Sequence, residues 1–227
     1  MTNLSGGRVN QKLRTRNALV EAAAQFVRDG LSFTVADVAD AAMIGRTTAY
    51  RYFPTVDTLL AHASLYAVTD VEQHDIAKAL DGIDAIDKRL SAVVEASDRS
   101  SIEHDYLYRT MLRTSLYGES HGEVVPKRTG ARRQSLDAAI GGLRLQLGDK
   151  SYERLASALS LFLGIEASIV MRDVCLLSPV EARRVKLWGA QSLLEAAIEE
   201  AAQRKAAPRG SKAVPRGKQR SMAELRK

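Results

Sequence analysis

Arg46, Thr47, Thr48, Tyr50, Arg51 and Tyr52 crowd hydrogen-bonding side chains into one short stretch, a mixture suited to non-covalent recognition. A guanidinium such as that of Arg46 can bond guanine O6 and N7 together, and threonines can offer hydroxyls to base edges or methyls to thymine. On a helix, Tyr50 shares the face of Arg46 and Thr47, four and three residues earlier. Covalent and metal chemistry find no comparable cluster. His62, His74, His104 and His121 have no ligand-like spacing, and no HExxH, GxSxG or phosphate-loop glycine pattern occurs. Asp81, Asp84 and Asp87 recur every third residue, as solvated acids at a helix start do. The single Cys175 excludes a disulfide framework and a cysteine-based zinc site, and suits a reducing compartment. No catalytic residue, metal or cofactor is assigned, and an enzyme is not expected.

Residues 34–53 must position that cluster. Thr34 with Asp37 three residues on forms a near capping box, Asp standing in for the usual Glu or Gln. Val35, Val38, Ala39 and Ala42 follow at helical spacing as one apolar stripe. Met43-Ile44-Gly45 suits a tight turn between helices. A second short helix then runs from Arg46 to Tyr52, with Ala49 and Phe53 free to face inward, and Pro54 ends it by disfavouring helical geometry at Phe53. Two abutting short helices, the second with arginines, hydroxyls and tyrosines outward, are what a helix-turn-helix presents to the major groove. Asp37 and Asp40 balance Arg46 and Arg51, so the motif itself is neutral. Affinity must then draw on flanking charge, helix dipoles and backbone amides.

From Ala42 through Pro54-Thr55 to Leu59-Leu60 the sequence resembles the DNA-binding signature of the TetR family of transcriptional repressors, and the matching pattern runs from about Arg14 to Leu60. Two positions depart from that pattern: Met43 stands where the family usually has Gly, and Val56 where a Lys typically opens the fourth helix. The resemblance implies that Tyr50 contacts a base or sugar, that Tyr52 reaches phosphate, and that Thr34 touches the backbone from the neighbouring helix. Arg14 and Arg16 sit at the start of the first helix, either near the DNA backbone or merely solvated. The candidate DNA-facing set is Arg14, Arg16, Thr34, Val35, Arg46, Thr47, Thr48, Tyr50, Arg51 and Tyr52.

Helix formers dominate the 227 residues, only five are Pro, and no alternating β-branched run occurs, so the fold class is all-α. The net charge of +6 is unevenly spread. Residues 1–17 hold four cations and no acid, residues 203–227 hold nine cations and one acid, and the middle carries −6. Phosphate-attracting charge therefore lies on the two flanks. No apolar run approaches the roughly 18–20 residues of a membrane span and the N-terminus lacks a signal-peptide core, so no membrane partner and a cytoplasmic location are expected.

Four segments follow: a flexible basic arm over 1–10, a helix-turn-helix domain over 11–60, a helical ligand-binding and dimerisation domain over 61–204, and a disordered basic tail over 205–227. The first helix is expected from Gln11 to about Asp29, the connector from Thr55 to about Leu80. Further helices are expected from Asp84, over 103–117, over 131–147, over 150–176 and over 179–204, with a loop at 118–130. The tail repeats Pro-Arg-Gly at 208–210 and 215–217. It is either an inert extension or a salt-sensitive, non-specific DNA anchor.

The last two long helices are apolar over more than one stripe and must be buried on more than one side. The family's four-helix interface places Leu159, Phe162, Trp188, Leu194 and Ile198 in a homodimer contact. Such a dimer would read half-sites of a palindromic operator in double-stranded DNA roughly 34 Å apart. Tyr106, Met111 and Tyr117, with Tyr108 and His121 nearby, mark either plain core or a pocket for a small-molecule effector, which in the family commonly releases DNA. The resulting expectation is a sequence-specific regulator, a repressor relieved by a ligand. The alternatives are a nucleoid-type DNA binder without effector, or an interaction protein or enzyme with a vestigial helix-turn-helix.

Overall fold

The computed structural model describes residues 4–120, 126–128 and 130–206. Helix α1 (Leu4–Arg28) starts earlier than the Gln11 expected from sequence, so the backbone of residues 4–10 is helical. Its apolar face, Leu19, Val20, Ala23, Ala24 and Val27, is buried against α2 (Val35–Ala41), α3 (Arg46–Tyr52) and the lower half of α4 (Val56–Leu80). The capping box at Thr34 is present in full. The Asp37 N–H donates to Thr34 Oγ1 at 3.2 Å, and Asp37 Oδ2 accepts from the Thr34 N–H at 2.8 Å. Thr55 caps α4 by accepting from the Thr58 N–H at 3.1 Å.

The turn between α2 and α3 closes with the hydrogen bonds of a Schellman motif. The Ile44 N–H donates to the Ala39 carbonyl at 2.9 Å and the Met43 N–H to the Asp40 carbonyl at 3.1 Å. That motif needs a left-handed residue after the last helical one, and Met43 supplies it at φ 54 despite its Cβ. The departure from glycine thus leaves the turn's geometry intact and places the cost in Met43's backbone. Phe53, held extended before Pro54, is buried under the head.

Above the head, α4 packs on α5 (Ile86–Glu103) and α6 (Asp105–Ser120), and α5 packs on α7 (Ala131–Ile140), α10 (Gly164–Ile169) and α11 (Pro179–Ala206). The apolar core of the head does not stop at residue 60. Leu59, Ala63, Ala67 and Val68 of α4 carry it upward to Leu107, Tyr108 and Met111 of α6 and Ile165 of α10. A second cluster fills the top of the body, from Ile76 and Leu90 through Leu136 and Tyr152 to Leu194. Among the described residues no single helix is long and apolar enough to cross a membrane.

Two helices expected to be continuous are broken. The stretch 131–147 divides into α7, a 3₁₀ turn at Gly141–Leu143 and α8 (Arg144–Leu147), because paired glycines at 141 and 142 weaken helix propagation. The stretch 150–176 divides into α9 (Asp149–Leu159), a 3₁₀ turn at Ser160–Phe162, α10 and a π-turn at Val170–Val174, with a bend of 53° between its halves. Gly164 makes the bend possible. It sits at φ 79, and a Cβ there would run into the Arg132 guanidinium.

The bend also spends side chains expected at an intersubunit contact. Leu159 and Leu194 are buried in the protomer's own core, Ile198 packs partly against it, and the Phe162 ring lies against Gly189, where a Cβ would collide with it. Of that set only Trp188 stays largely exposed, at 72%. Periodicity could count the apolar faces of these helices but could not say which neighbour covers each. Behind Trp188, the buried Lys186 bonds Asp98 of α5 and donates to Ser168 of α10 at 3.1 Å, while Arg183 reaches the other Asp98 oxygen at 3.0 Å.

Candidate functional site

Helix α3 stands at the tip of the head with Ala49 facing inward and most of its other side chains outward. Thr47 and Arg51 are exposed, Tyr50 is 46% exposed, and Thr48 is half-buried. Tyr52 is half-buried against the head's core, and its ring lies 5.7 Å from the Arg51 guanidinium carbon. Arg46, Thr47 and Tyr50 therefore share the outward face of α3. The first-turn amides of α3 are left largely to solvent, since Gly45 has no side chain to cap them.

Two residues of the expected DNA-facing set, Val35 and Arg16, turn inward, and a third, Arg46, is outward but paired. Val35 is buried beneath α2, because it begins the apolar stripe rather than the exposed face, and it does not reach a ligand outside the head. Arg16 turns inward: its Nη2 lies 2.9 Å from Nδ1 and 3.1 Å from Nε2 of His62, and its guanidinium sits over the Phe53 ring at 5.5 Å. It ties α1 to α4 instead of extending into solvent. Arg46 is exposed but engaged, with Nη2 on Asp40 Oδ2 at 2.6 Å and Nε on Oδ1 at 3.3 Å. Arg14 is exposed, and Thr34 holds its capping position. Val56 presents an apolar side chain at the exposed start of α4.

The charges around the turn reinforce these placements. The bond from Arg46 lowers the pKa of the Asp40 carboxyl, and the same bond raises that of the guanidinium. Hydrogen bonds from Thr34 lower that of Asp37. Both carboxylates are thus charged at neutral pH beside the recognition helix. His62, by contrast, is pushed down to about 4 by burial and then by the Arg16 charge, so it is a neutral acceptor for Arg16. The Asp40–Arg46 pair, six residues apart across the turn, and the Arg16–His62 pair, 46 apart, have no helical spacing to betray them.

With the geometry of the head established, comparison with known families is decisive. Residues 18–63, from α1 into α4, match the family model of the bacterial regulatory proteins of the tetR family. The head is a TetR-type DNA-binding domain. No curated protein and no solved structure matches it. That domain supports a DNA-binding transcriptional regulator, and the paired short helices α2 and α3 are its helix-turn-helix.

The body above this TetR-type head holds a cavity of about 260 Å³ bounded by α4, α6, α7 and α10. Leu65, Val68 and Met111 give it an apolar wall; Glu72, Arg128, Arg132 and Glu166 give it a charged one. Arg128 Nη2 bonds Glu166 Oε1 at 2.5 Å, and Arg132 bonds Oε2. Burial pushes the Glu166 carboxyl up, but the two arginines outweigh it and its pKa lies below the ordinary value. Of the side chains expected to form a pocket, Met111 and the neighbouring Tyr108 line this cavity. Tyr106 is 62% exposed, and Tyr117 lines a separate surface depression with Asp57, Leu60, Arg113 and Thr114. The reason is helical phase: Leu107, Tyr108, Met111 and Ser115 form the buried face of α6, and at about 100° per residue Tyr106 and Tyr117 fall off it. His121 lies outside the described residues, as does the tail from 207 onward.

Proposed function

We propose that this protein is a homodimeric repressor of its own set of promoters, released from a palindromic operator when a small molecule enters the cavity between α4, α6, α7 and α10. The observation carrying this reading is the double duty of α4. Leu65, Val68 and Glu72 face the cavity, while Leu59 and Ala63, earlier in the same helix, belong to the core of the head. A ligand that favours one placement of α4 would shift the head with it, and so change the separation of the two recognition helices. Arg46, Thr47, Thr48 and Tyr50 read bases, while Arg14, Thr34, Arg51 and Tyr52 face the phosphate backbone. Residues 11–60 act as the DNA-binding unit and 61–204 as the regulatory one, and the basic segment 205–227 adds salt-dependent affinity.

The contact between protomers centres on the outer face of α11, where Val185 and the 72% exposed Trp188 lie, and on Leu161, 76% exposed beside Phe162. An exposed apolar patch of this kind is what a subunit contact covers.

Sequencing of genomic fragments retained by the wild-type protein and by Tyr50→Ala tests the DNA half of the proposal. A few imperfectly palindromic sites, lost in the variant, are expected; broad and equal enrichment for both proteins would refute a sequence reader. Repeating the retention with candidate ligands tests release, and ligand binding without a change in operator affinity would sink that part.

A further inference from the structure

The charged wall of the cavity contains one side chain whose hydrogen bonding is unfinished. Glu72 is 3% exposed, and its buried Oε1 has no hydrogen-bond partner. The groups around it are otherwise engaged. Arg128 and Arg132 both close on Glu166. The Tyr108 hydroxyl donates to Ser100 Oγ at 3.2 Å, and the Thr69 hydroxyl to the Leu65 carbonyl at 2.8 Å. The cavity thus offers an entrant a carboxyl oxygen without a partner, on the same face of α4 as the apolar Leu65 and Val68 and with Met111 of α6 also in the lining. Buried acceptors are nearly always satisfied by a partner, so an unpartnered one on a residue that lines a cavity asks for a donor.

We propose that this cavity takes a small, mainly apolar molecule bearing a hydroxyl or amino group, whose O–H or N–H donates to Glu72 Oε1, and that it discriminates against carboxylates. The inference rests on the effector reading above and specifies its ligand class. Charge supports the selectivity. Two arginines and two carboxylates line the site, so an anion would add to Glu72 and Glu166 with both cations already paired, whereas a neutral alcohol or a cationic amine would not. Burial pushes the Glu72 carboxyl up against the attraction of Arg132, as expected for a group waiting for a partner. The volume of about 260 Å³ suits a one-ring compound and lies near the lower end of small-molecule sites.

The test is calorimetric titration of the full-length protein with four one-ring probes: benzyl alcohol, benzylamine, toluene and benzoate. Wild type is expected to bind the alcohol and the amine about tenfold more tightly than toluene or benzoate, the worth of one hydrogen bond to a buried acceptor that otherwise lacks a partner. Glu72→Leu should erase that preference while toluene still binds. Glu72→Gln, which keeps the shape and an acceptor, should weaken benzylamine more than benzyl alcohol, and it serves if the leucine variant does not fold. Ala131→Trp, at the half-buried rim on α7, should block all four probes. Equal binding of the four probes, a preference for benzoate, or a donor preference that survives in both Glu72 variants, with binding still lost in Ala131→Trp, would overturn the donor inference and leave the cavity as the ligand site. No binding to wild type, or binding untouched by Ala131→Trp, would overturn both.

Discussion

Met43→Gly is expected to stabilise the protein. Met43 holds the left-handed position of the turn at φ 54 and is 94% exposed, so its side chain has almost no burial to lose. A residue with a Cβ pays about 1–2 kcal/mol for that conformation. Glycine removes this strain but restores freedom to the unfolded chain, which costs about 0.5–1 kcal/mol. The difference is a net gain of about 0.5–1 kcal/mol, or roughly 1–4 °C in Tm for a chain of this size. Urea unfolding followed by far-ultraviolet circular dichroism, at one protein concentration, reads it directly. Met43→Ala keeps the Cβ and should stay within about 0.3 kcal/mol of wild type, whereas the β-branched Met43→Val should lose about 1 kcal/mol. Because the Ile44-to-Ala39 and Met43-to-Asp40 bonds persist in the glycine variant, DNA affinity should be unchanged. A glycine variant no more stable than wild type, beside a neutral alanine variant, would refute the assignment of strain to this turn.

Asp40→Asn frees Arg46 and removes one negative charge beside the recognition helix, so binding to duplex DNA should tighten roughly two- to fivefold with a steeper salt dependence, read by fluorescence anisotropy; an unchanged slope would mean that Arg46 stays away from DNA. Lys186→Met leaves the buried Asp98 with Arg183 alone and should cost about 2–4 kcal/mol in urea unfolding, while Arg183→Leu, whose side chain is 41% exposed, should cost about 1 kcal/mol or less. His62 has an ordinary value of 6.5 when unfolded and about 4 when folded, so below 6.5 the unfolded chain takes up a proton that the folded one refuses. Stability should therefore fall as pH drops from about 7 towards 4, by on the order of 1–2 kcal/mol once the half-exposure of the ring is allowed for, and His62→Gln should flatten this fall.

The head was legible because its instructions are local. The Thr34–Asp37 capping box, the apolar stripe from Val35 to Ala42 and the stop at Pro54 each act within a few residues, and each appears where spacing puts it. Ala49 and Phe53 face inward as their positions demand. Ser178 and Glu181 likewise start α11, the Glu181 carboxylate accepting from the Ser178 N–H at 3.0 Å. Inferences that needed to know which neighbour covers a given face fared worse. Leu159 and Leu194 look the same in sequence as Trp188, yet the first two meet α5, α7 and each other's helices while Trp188 stays outside. Tyr106 and Tyr108, two residues apart, end on opposite fates because the phase of α6 is set by its packing on α4.

By itself, then, the sequence determined the all-α class, the helix-turn-helix and the outward display of Thr47 and Tyr50, since hydrogen-bonded turns, caps and 3.6-residue periodicity are short-range properties. Only the tertiary structure decided that Arg46 pairs with Asp40 across the turn, that Arg16 is drawn to His62, and that Gly164 bends the chain under Arg132. It alone brought Glu72, Arg132 and Glu166 to one cavity. Charges this far apart along the chain meet only after the helices have packed, and the packing is governed by apolar faces that carry no record of which polar groups they will bring together.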